Sequence, residues 1–314
     1  MTSSAAIALP ETAPGIVLPA GKRSDRVGWS WVSAPLLLPA AALTAVLFLG
    51  PVIYSIYLGF TDLDLTGPTA LHYHWTGLAN VDHLLHDSVF RQSITVTALY
   101  VVGSSVVGTT AVGLLLALAM QKAVGAIRLL VGALVMVCFM LPPITVAIVW
   151  YSASTLGGVW TSLFGSRGSD LLSSAPLVLV SAANSWSLAG LAMLLFAAAL
   201  RNIPRDINES AELESAGPLQ RFARITLPLL RPTIVTTVLV MALLSLGNFT
   251  VVYVMTQGGP GTATTILPVY SYQEAFQFGR LAYGALIGDV MVLLAAVVSA
   301  AFVWVSRDRA RRRS

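Results

Sequence analysis

The sequence contains six long apolar runs separated by shorter polar segments. They lie at about 31–59, 93–120, 129–151, 174–200, 230–256 and 283–305. Each run reaches the ~20 residues that an α-helix needs to cross about 30 Å of hydrocarbon. Segments in lipid must satisfy their own backbone hydrogen bonds, and the alternating pattern of a barrel strand is absent. The runs therefore predict an all-α integral membrane protein with six transmembrane helices, of which the third is bent or broken at Pro142-Pro143.

Charged residues are scarce and unevenly placed. They make up 10% of the 314 residues, whereas an ordinary soluble domain has about 25%, which argues against a soluble enzyme. Fifteen of the 18 lysines and arginines lie in the two tails or in and beside the connections that follow the second and fourth runs. Because cytoplasmic segments carry an excess of Lys and Arg, we expect both termini to be cytoplasmic. The net charge of +4 is too small to argue for nucleic acid binding.

These features divide the chain into three parts. We expect residues 1–28 to form a disordered cytoplasmic tail. Residues 29–306 hold the six spans, and residues 307–314 form a basic cytoplasmic tail. The longest predicted cytoplasmic connection is the 29-residue loop 201–229, which is therefore the best candidate for contact with a cytoplasmic partner.

The loop 201–229 carries signals for two short helices joined by a turn. Asp206 suits an N-cap, and Glu209 three residues later completes a capping box. Gly217 ends the first helix, and Pro218 begins the second at a position where its missing N–H costs nothing. Helices this short must pack on something, either on the spans of the same chain or in a groove of another protein.

The same loop resembles the EAA loop of the membrane subunits of ATP-binding-cassette importers, in which E-A-A is followed by Gly and later by Phe and I-x-L-P. Glu209, Ser210 and Ala211 occupy the E-A-A positions, and residues 222–228 match the tail. Ser215 stands where the family has Gly, so Gly217 is a candidate for supplying the turn. In this family the loop forms the coupling helix that docks on the cytoplasmic ATPase. The residues to which the resemblance assigns this role are Asp206, Glu209, Ser210, Ala211, Glu212, Glu214, Ser215, Ala216 and Gly217.

Three other segments resemble the carbohydrate-importer permeases of this family. They are F-L-G-P-V-I-Y-S-I-Y-L-G-F at 48–60, G-L-A-N at 77–80 and T-Q-G-G-P at 256–260. The third is similar to the turn after span 5 in the maltose-transport F-type permease and its glycerol-phosphate relatives. The resemblance implies the type I importer permease (MetI-like) fold in a bacterial cytoplasmic membrane. It also implies a second related permease, two ATPase subunits, an extracytoplasmic solute-binding (lipo)protein and a carbohydrate substrate, a di- or oligosaccharide or a related sugar.

Polar and aromatic residues within the runs are candidates for the substrate path. Asn248, Phe249 and Tyr253 combine an amide with aromatic rings, a mixture that suits a sugar, and the resembled family places its mid-membrane site in this part of the chain. Trp186 is a weaker candidate, since Trp is common at membrane interfaces. Asp289 must face the bundle interior or a wet cavity, where it bonds either a sugar hydroxyl or a neighbouring helix. Helix packing is the alternative role for each of these residues.

Other functions and ligands are less well supported by the sequence. The sequence contains no nucleotide-binding motif. We therefore expect a non-catalytic transport subunit with no cofactor of its own, and we expect ATP and magnesium to bind to a partner subunit. The alternatives are a gradient-driven carrier that works alone and an importer of glycerol-phosphate-type solutes; a membrane-embedded enzyme is disfavoured, because no cluster of His, Asp or Glu lies within the runs. The first outer loop holds His72, His74, His83 and His86, and a polar surface facing a binding protein suits them better than a metal site.

Overall fold

The helical character of the chain is evident throughout its described part. The computed structural model describes residues 34–164, 170–213 and 217–311. Apart from one isolated bridge between Thr61 and Trp75, these residues are helical or irregular, which confirms the all-α class. The predicted tail 1–28 lies outside the described residues. So do three residues of the predicted coupling loop, namely Glu214, Ser215 and Ala216.

The described ranges contain sixteen α-helices. They are α1 Ala34–Thr44, α2 Gly50–Gly59, α3 Ala79–His86, α4 Ser88–Val101, α5 Thr110–Lys122, α6 Gly125–Met140, α7 Pro143–Ser154, α8 Val159–Phe164, α9 Leu171–Ser174, α10 Pro176–Arg201, α11 Arg205–Leu213, α12 Pro218–Arg221, α13 Leu227–Leu246, α14 Phe249–Thr256, α15 Leu267–Tyr272 and α16 Leu281–Arg311. Wider π-helical turns join several of them or extend them, at Ala45–Leu49, Val102–Thr109, Phe222–Thr226 and Gln273–Gln277.

Five helical stretches are long and apolar enough to cross a membrane. They are span 1 Leu38–Gly59, span 2 Ser88–Lys122, span 4 Pro176–Arg201, span 5 Pro218–Leu246 and span 6 Leu281–Trp304. The remaining span 3 consists of α6 and α7, which are bent by 103° relative to each other. Pro143 begins α7, and its ring and missing N–H prevent α6 from continuing. Counting this bent pair as one span gives the predicted six, with the predicted bend.

Span 5 differs from the predicted run 230–256 at both ends. The second helix of the coupling loop is not separate, because α12 begins at Pro218 as predicted but continues through a π-helical turn into α13. That π-helical turn ends at Thr226, two residues before Pro228. In an ordinary α-helix the ring of a proline clashes with the carbonyl group of the preceding turn, and the wider π-helical turn leaves room for it. At the other end the helix stops at Leu246, and a new helix begins at Phe249.

Span 4 lies at the centre of the compact unit that extends from Val52. Half of its most apolar window is buried, the largest share among the five unbroken spans, and it packs against α5, α6 and α13. Phe196 is fully buried at this junction, beside Met241 of α13. The approach of α5 depends on Gly113, where an added Cβ would lie 2.5 Å from the Cβ of Ala192.

We predict that Gly113→Ala destabilises the protein, because the new methyl group forces α5 and α10 apart. The expected loss is on the order of 1–3 kcal/mol in unfolding free energy, measured as a lower thermal unfolding midpoint in detergent. Gly132→Ala is the matched control, since a Cβ at Gly132 in α6 meets no atom within 4 Å. Equal midpoints for the two variants would contradict the close packing of α5 on α10.

Candidate functional site

The described part of the predicted coupling segment begins with a short helix. α11 begins at Arg205, so Asp206 lies in the first turn and the predicted N-cap position is wrong by two residues; an acidic residue there still favours the helix dipole. Ala211 is buried, whereas Leu213 is 88% exposed. In α12, Leu219 is 79% exposed. These two leucines therefore present apolar surface that the described residues do not cover.

Gly217 has a different role from the one suggested by the sequence. Its φ of −64° and ψ of 159° are extended values that any residue adopts, and a Cβ there would meet no atom within 4 Å. The backbone at position 217 therefore does not require glycine. Gly217 instead serves as the N-cap residue of α12.

A buried chain of hydrogen bonds joins spans 2, 4 and 5. Ser105 Oγ donates to Ser245 Oγ at 2.6 Å, and Asn184 Nδ2 donates to the same oxygen at 2.6 Å. Asn248 Nδ2 then donates to Asn184 Oδ1, also at 2.6 Å. The first three side chains are fully buried. Asn248, a predicted substrate residue, is thus held by its neighbours, and Ser105, which sequence reasoning missed, belongs to the same group.

Four rings form an aromatic cluster next to this polar group, comprising Phe249, Tyr253, Tyr272 and Phe276. The ring centroids of Phe249 and Tyr253 are 4.8 Å apart, and Tyr272 lies 5.1 Å and 5.0 Å from them. Phe276 follows at 5.4 Å from Tyr272 and is 60% exposed. Gln277 Nε2 donates to the hydroxyl of Tyr253 at 3.1 Å. The cluster is therefore a stacked, partly open aromatic surface with hydrogen-bonding groups at its edge.

Two members of the aromatic cluster were not found by sequence reasoning. Tyr272 and Phe276 lie between the predicted runs 230–256 and 283–305, where the sequence predicts no span. The segment instead forms α15 and its π-helical extension, and the spacing of four residues places both rings on one helix face. The pattern Tyr-x-x-x-Phe was the available signal.

The other two predicted substrate residues have contacts elsewhere. The ring of Trp186 lies 6.4 Å from that of Trp150, which stacks at 5.5 Å on Trp160, and the three line an apolar cavity of about 940 Å³. Asp289 Oδ1 accepts a hydrogen bond from Ser55 Oγ at 2.9 Å, a bond to a neighbouring helix. Within the described ranges, no ring contact or hydrogen bond joins either residue to the aromatic cluster.

The histidines between the first and second apolar runs contact different residues. His74 Nδ1 lies 3.8 Å from an oxygen of Asp62, and His86 Nδ1 lies 3.6 Å from one of Asp82. The ring of His83 packs at 4.8 Å on Tyr283. In the part of the chain that the structure describes, no three His, Cys, Asp or Glu side chains converge as a metal site would require.

Asp87 joins the three helices α4, α15 and α16 through hydrogen bonds. Its Oδ1 caps α4 by accepting from the amides of Val89 and Phe90 at 2.8 and 3.3 Å, and its Oδ2 accepts from the hydroxyls of Tyr270 and, at 2.7 Å, Tyr283. Burial opposes ionisation of this carboxyl group. The hydrogen bonds from the two tyrosines and the two amides outweigh that cost and lower the pKa of Asp87 below its ordinary value.

Known proteins resemble this chain over most of its length. Residues 109–311 match the family described as binding-protein-dependent transport system inner membrane component. The sulfoquinovosyl glycerol transport system permease protein of Agrobacterium fabrum is 30% identical, over 93% of this chain and 96% of that protein. The sn-glycerol-3-phosphate transport system permease protein of Yersinia enterocolitica is 32% identical, over 86% and 93%.

The fold is also similar to that of a solved structure. One chain of a bacterial alginate ABC transporter, determined in complex with an alginate pentasaccharide-bound periplasmic protein, superimposes with a TM-score of 0.72. The two chains are 20% identical, over 88% of this chain and 94% of that chain. At this identity the likeness establishes the fold alone, and the fold agrees with the predicted importer permease architecture.

We predict that Asp87→Asn lowers the unfolding midpoint at pH 7, and that the gap to the wild type narrows as the pH falls below about 4. A carboxyl group with a lowered folded-state pKa stabilises the fold above its unfolded pKa and loses this effect as the pH falls through the folded value. Because hydrogen bonds to a charged group are lost, we expect the free energy of unfolding of Asp87→Asn to be about 1–3 kcal/mol lower than that of the wild type at pH 7.

The measurement is thermal unfolding in detergent at several pH values between 7 and 3. Asp82→Asn serves as the control, because the side chain of Asp82 on α3 is 79% exposed. A gap for Asp87→Asn that is the same at every pH would show that its charge is not what stabilises the fold.

Proposed function

Because the chain belongs to the family of binding-protein-dependent transport system inner membrane components, we propose that it is the transmembrane permease subunit of an ATP-driven importer of a carbohydrate. The six helical spans provide the membrane path. The assignment of a carbohydrate as the substrate rests on the aromatic cluster. The relative from Agrobacterium fabrum, a permease for sulfoquinovosyl glycerol, supports the same class.

The substrate site in this proposal consists of the aromatic cluster and the polar group beside it. Ligand sites combine aromatic walls with a few polar groups that orient the ligand. The rings of Tyr272 and Phe276 offer flat apolar faces to the CH groups of a sugar, and the hydroxyl of Tyr253 and the amides of Asn248 and Gln277 suit its hydroxyl groups. Trp186 and Asp289 fall outside this site, because their contacts go to Trp150 and Ser55.

A glycerol-phosphate-type solute is the second candidate substrate. The relative from Yersinia enterocolitica, an sn-glycerol-3-phosphate permease, favours it. Uptake by the assembled importer of a panel of di- and oligosaccharides, sugar glycerols and glycerol phosphodiesters distinguishes the two. Saturable uptake of the phosphodiesters alone would replace the carbohydrate assignment.

We assign the coupling role to α11 and the residues that connect it to α12. Exposed Leu213 and Leu219 offer the apolar anchors that a groove on another protein covers, and the acidic first turn adds charge for recognition. In this proposal the nucleotide and magnesium are bound by two partner ATPase subunits, and the chain itself catalyses no bond chemistry. Movement of the ATPases is passed to the spans through this segment.

The proposed assembly contains two further kinds of partner and has a defined orientation in the membrane. A second, related permease forms the other half of the path, and an extracytoplasmic solute-binding protein delivers the substrate. The alginate transporter of similar fold, solved with a substrate-bound periplasmic protein, is consistent with such delivery. The excess of basic residues supports a cytoplasmic position for both termini and the coupling segment, and we assign residues 29–306 to the permease domain.

We predict that Tyr272→Ala raises the KM for uptake of the cognate sugar by about three- to tenfold, because an aromatic stacking contact contributes about 0.5–1.5 kcal/mol. Tyr272→Phe keeps the ring and should stay close to the wild type. The measurement is uptake of labelled sugar by the importer reconstituted with its binding protein. Trp304→Ala is the control, since this exposed ring lies outside the cluster; the assignment fails if Trp304→Ala and Tyr272→Ala behave alike.

We predict that Leu213→Asp and Glu209→Ala each reduce co-purification of the ATPase subunits with this chain, with Leu213→Asp the stronger. An aspartate at Leu213 places a charge in the apolar contact without disturbing the fold, because the native side chain is 88% exposed. Leu71→Asp is the matched control, being 83% exposed on the outer side. Undiminished co-purification, or transport by this chain without any ATPase, would refute coupling and favour a gradient-driven carrier.

A further inference from the structure

A small pocket at the coupling end of the bundle carries two arginines. It has a volume of about 300 Å³ and lies where α5, α6 and α10 end or begin. Arg128 in the first turn of α6 and Arg201, the last residue of α10, both line it. The coupling helix α11 begins only four residues after Arg201. We call this site the arginine pocket.

The positive charge in the arginine pocket is not neutralised by any carboxylate of the described residues. One nitrogen of Arg128, Nη2, donates to the carbonyl oxygens of Ala123 at 3.0 Å and Gln121 at 3.4 Å, which are uncharged acceptors. The ion pairs seen among the described residues include neither Arg128 nor Arg201. Two guanidinium groups that line one pocket without such a partner favour an anion, and their planar donor forks match the geometry of phosphate.

The rest of the arginine pocket is apolar and continues along the helices. Met120, Met193 and Ala197 form its wall. Gly132 leaves the cleft between α6 and α10 open, since no atom lies within 4 Å of the position of its missing Cβ. An apolar wall adds nothing to the binding of a free phosphate ion. It does favour a phosphate that is attached to acyl chains, because the chains cover the apolar surface while the phosphate headgroup reaches the arginines.

We propose that the arginine pocket binds the phosphate headgroup of an anionic phospholipid from the cytoplasmic leaflet, with an acyl chain against the methionine wall. Basic pockets between transmembrane helices on the cytoplasmic side bind such headgroups. The choice of leaflet rests on the proposed orientation, whereas the binding itself does not depend on transport. Because Arg201 stands at the base of the coupling segment, the bound lipid restrains the point from which α11 leaves the membrane.

The test measures lipid binding by the assembled transporter. Native mass spectrometry follows the binding of phosphatidylglycerol, with phosphatidylcholine and inorganic phosphate as the other two probes. We expect the wild type to retain phosphatidylglycerol, and Arg128→Gln and Arg201→Gln each to weaken this binding several-fold, with about tenfold or more for the double variant. Lys122→Gln is the matched control, because Lys122 lies at the same helix end but does not line the pocket.

Either of two results would overturn the proposal. Equal retention by Arg201→Gln and Lys122→Gln would show a diffuse charge effect without a defined site. Displacement of the lipid by inorganic phosphate at comparable concentration would assign the pocket to a soluble anion. Unfolding midpoints of the variants show whether they are folded, and Arg128→Lys, which keeps the charge, should retain most of the binding. Because no substrate is used, failure here leaves the carbohydrate assignment untouched.

Discussion

The architecture depends on hydrogen bonds that make a broken helix tolerable inside a membrane. Lipid supplies no partners for polar groups, so a break in a span requires partners from the protein. At the break in span 5, the amides of Asn248 and Phe249 donate to the carbonyls of Ser245 and Gly247 at 3.1 and 2.9 Å. The side chains of Ser245 and Asn248 then bond to Ser105 and Asn184 on spans 2 and 4. The break thus becomes the point where three spans are tied together.

The same break determines where the candidate substrate site lies. α13 ends at Leu246, and α14 begins as a separate helix at Phe249. This places Phe249 and Tyr253 against Tyr272 of α15. An unbroken helix would keep Asn248 and Phe249 on different faces. The polar group that stabilises the bundle and the ring surface that suits a sugar are therefore consequences of one local departure from helical geometry.

The sequence predicts the spans well and the site only in part. Long apolar runs and proline pairs are strong signals, so six spans and the bend at Pro142-Pro143 could be expected. The break at Gly247-Asn248 could not, because both residues are tolerated within an apolar helix and tertiary hydrogen bonds decide the outcome. Tyr272 and Phe276 were missed because α15 is too short to give a clear periodic signal. The predicted N-cap Asp206 is misplaced by two residues because helix ends vary by that much.

The length of span 5 has a mechanical consequence. The helical stretch of 29 residues runs from Pro218 to Leu246, a length of about 43 Å at 1.5 Å per residue. A tilt of about ten degrees about its Pro218 end would displace the other end by roughly 7 Å for a rod of this length. The displaced end carries Ser245 and adjoins Phe249. With the coupling segment in its proposed position, a small push there would be enlarged beside the ring surface, to the extent that the π-helical turn Phe222–Thr226 and Pro232 do not bend.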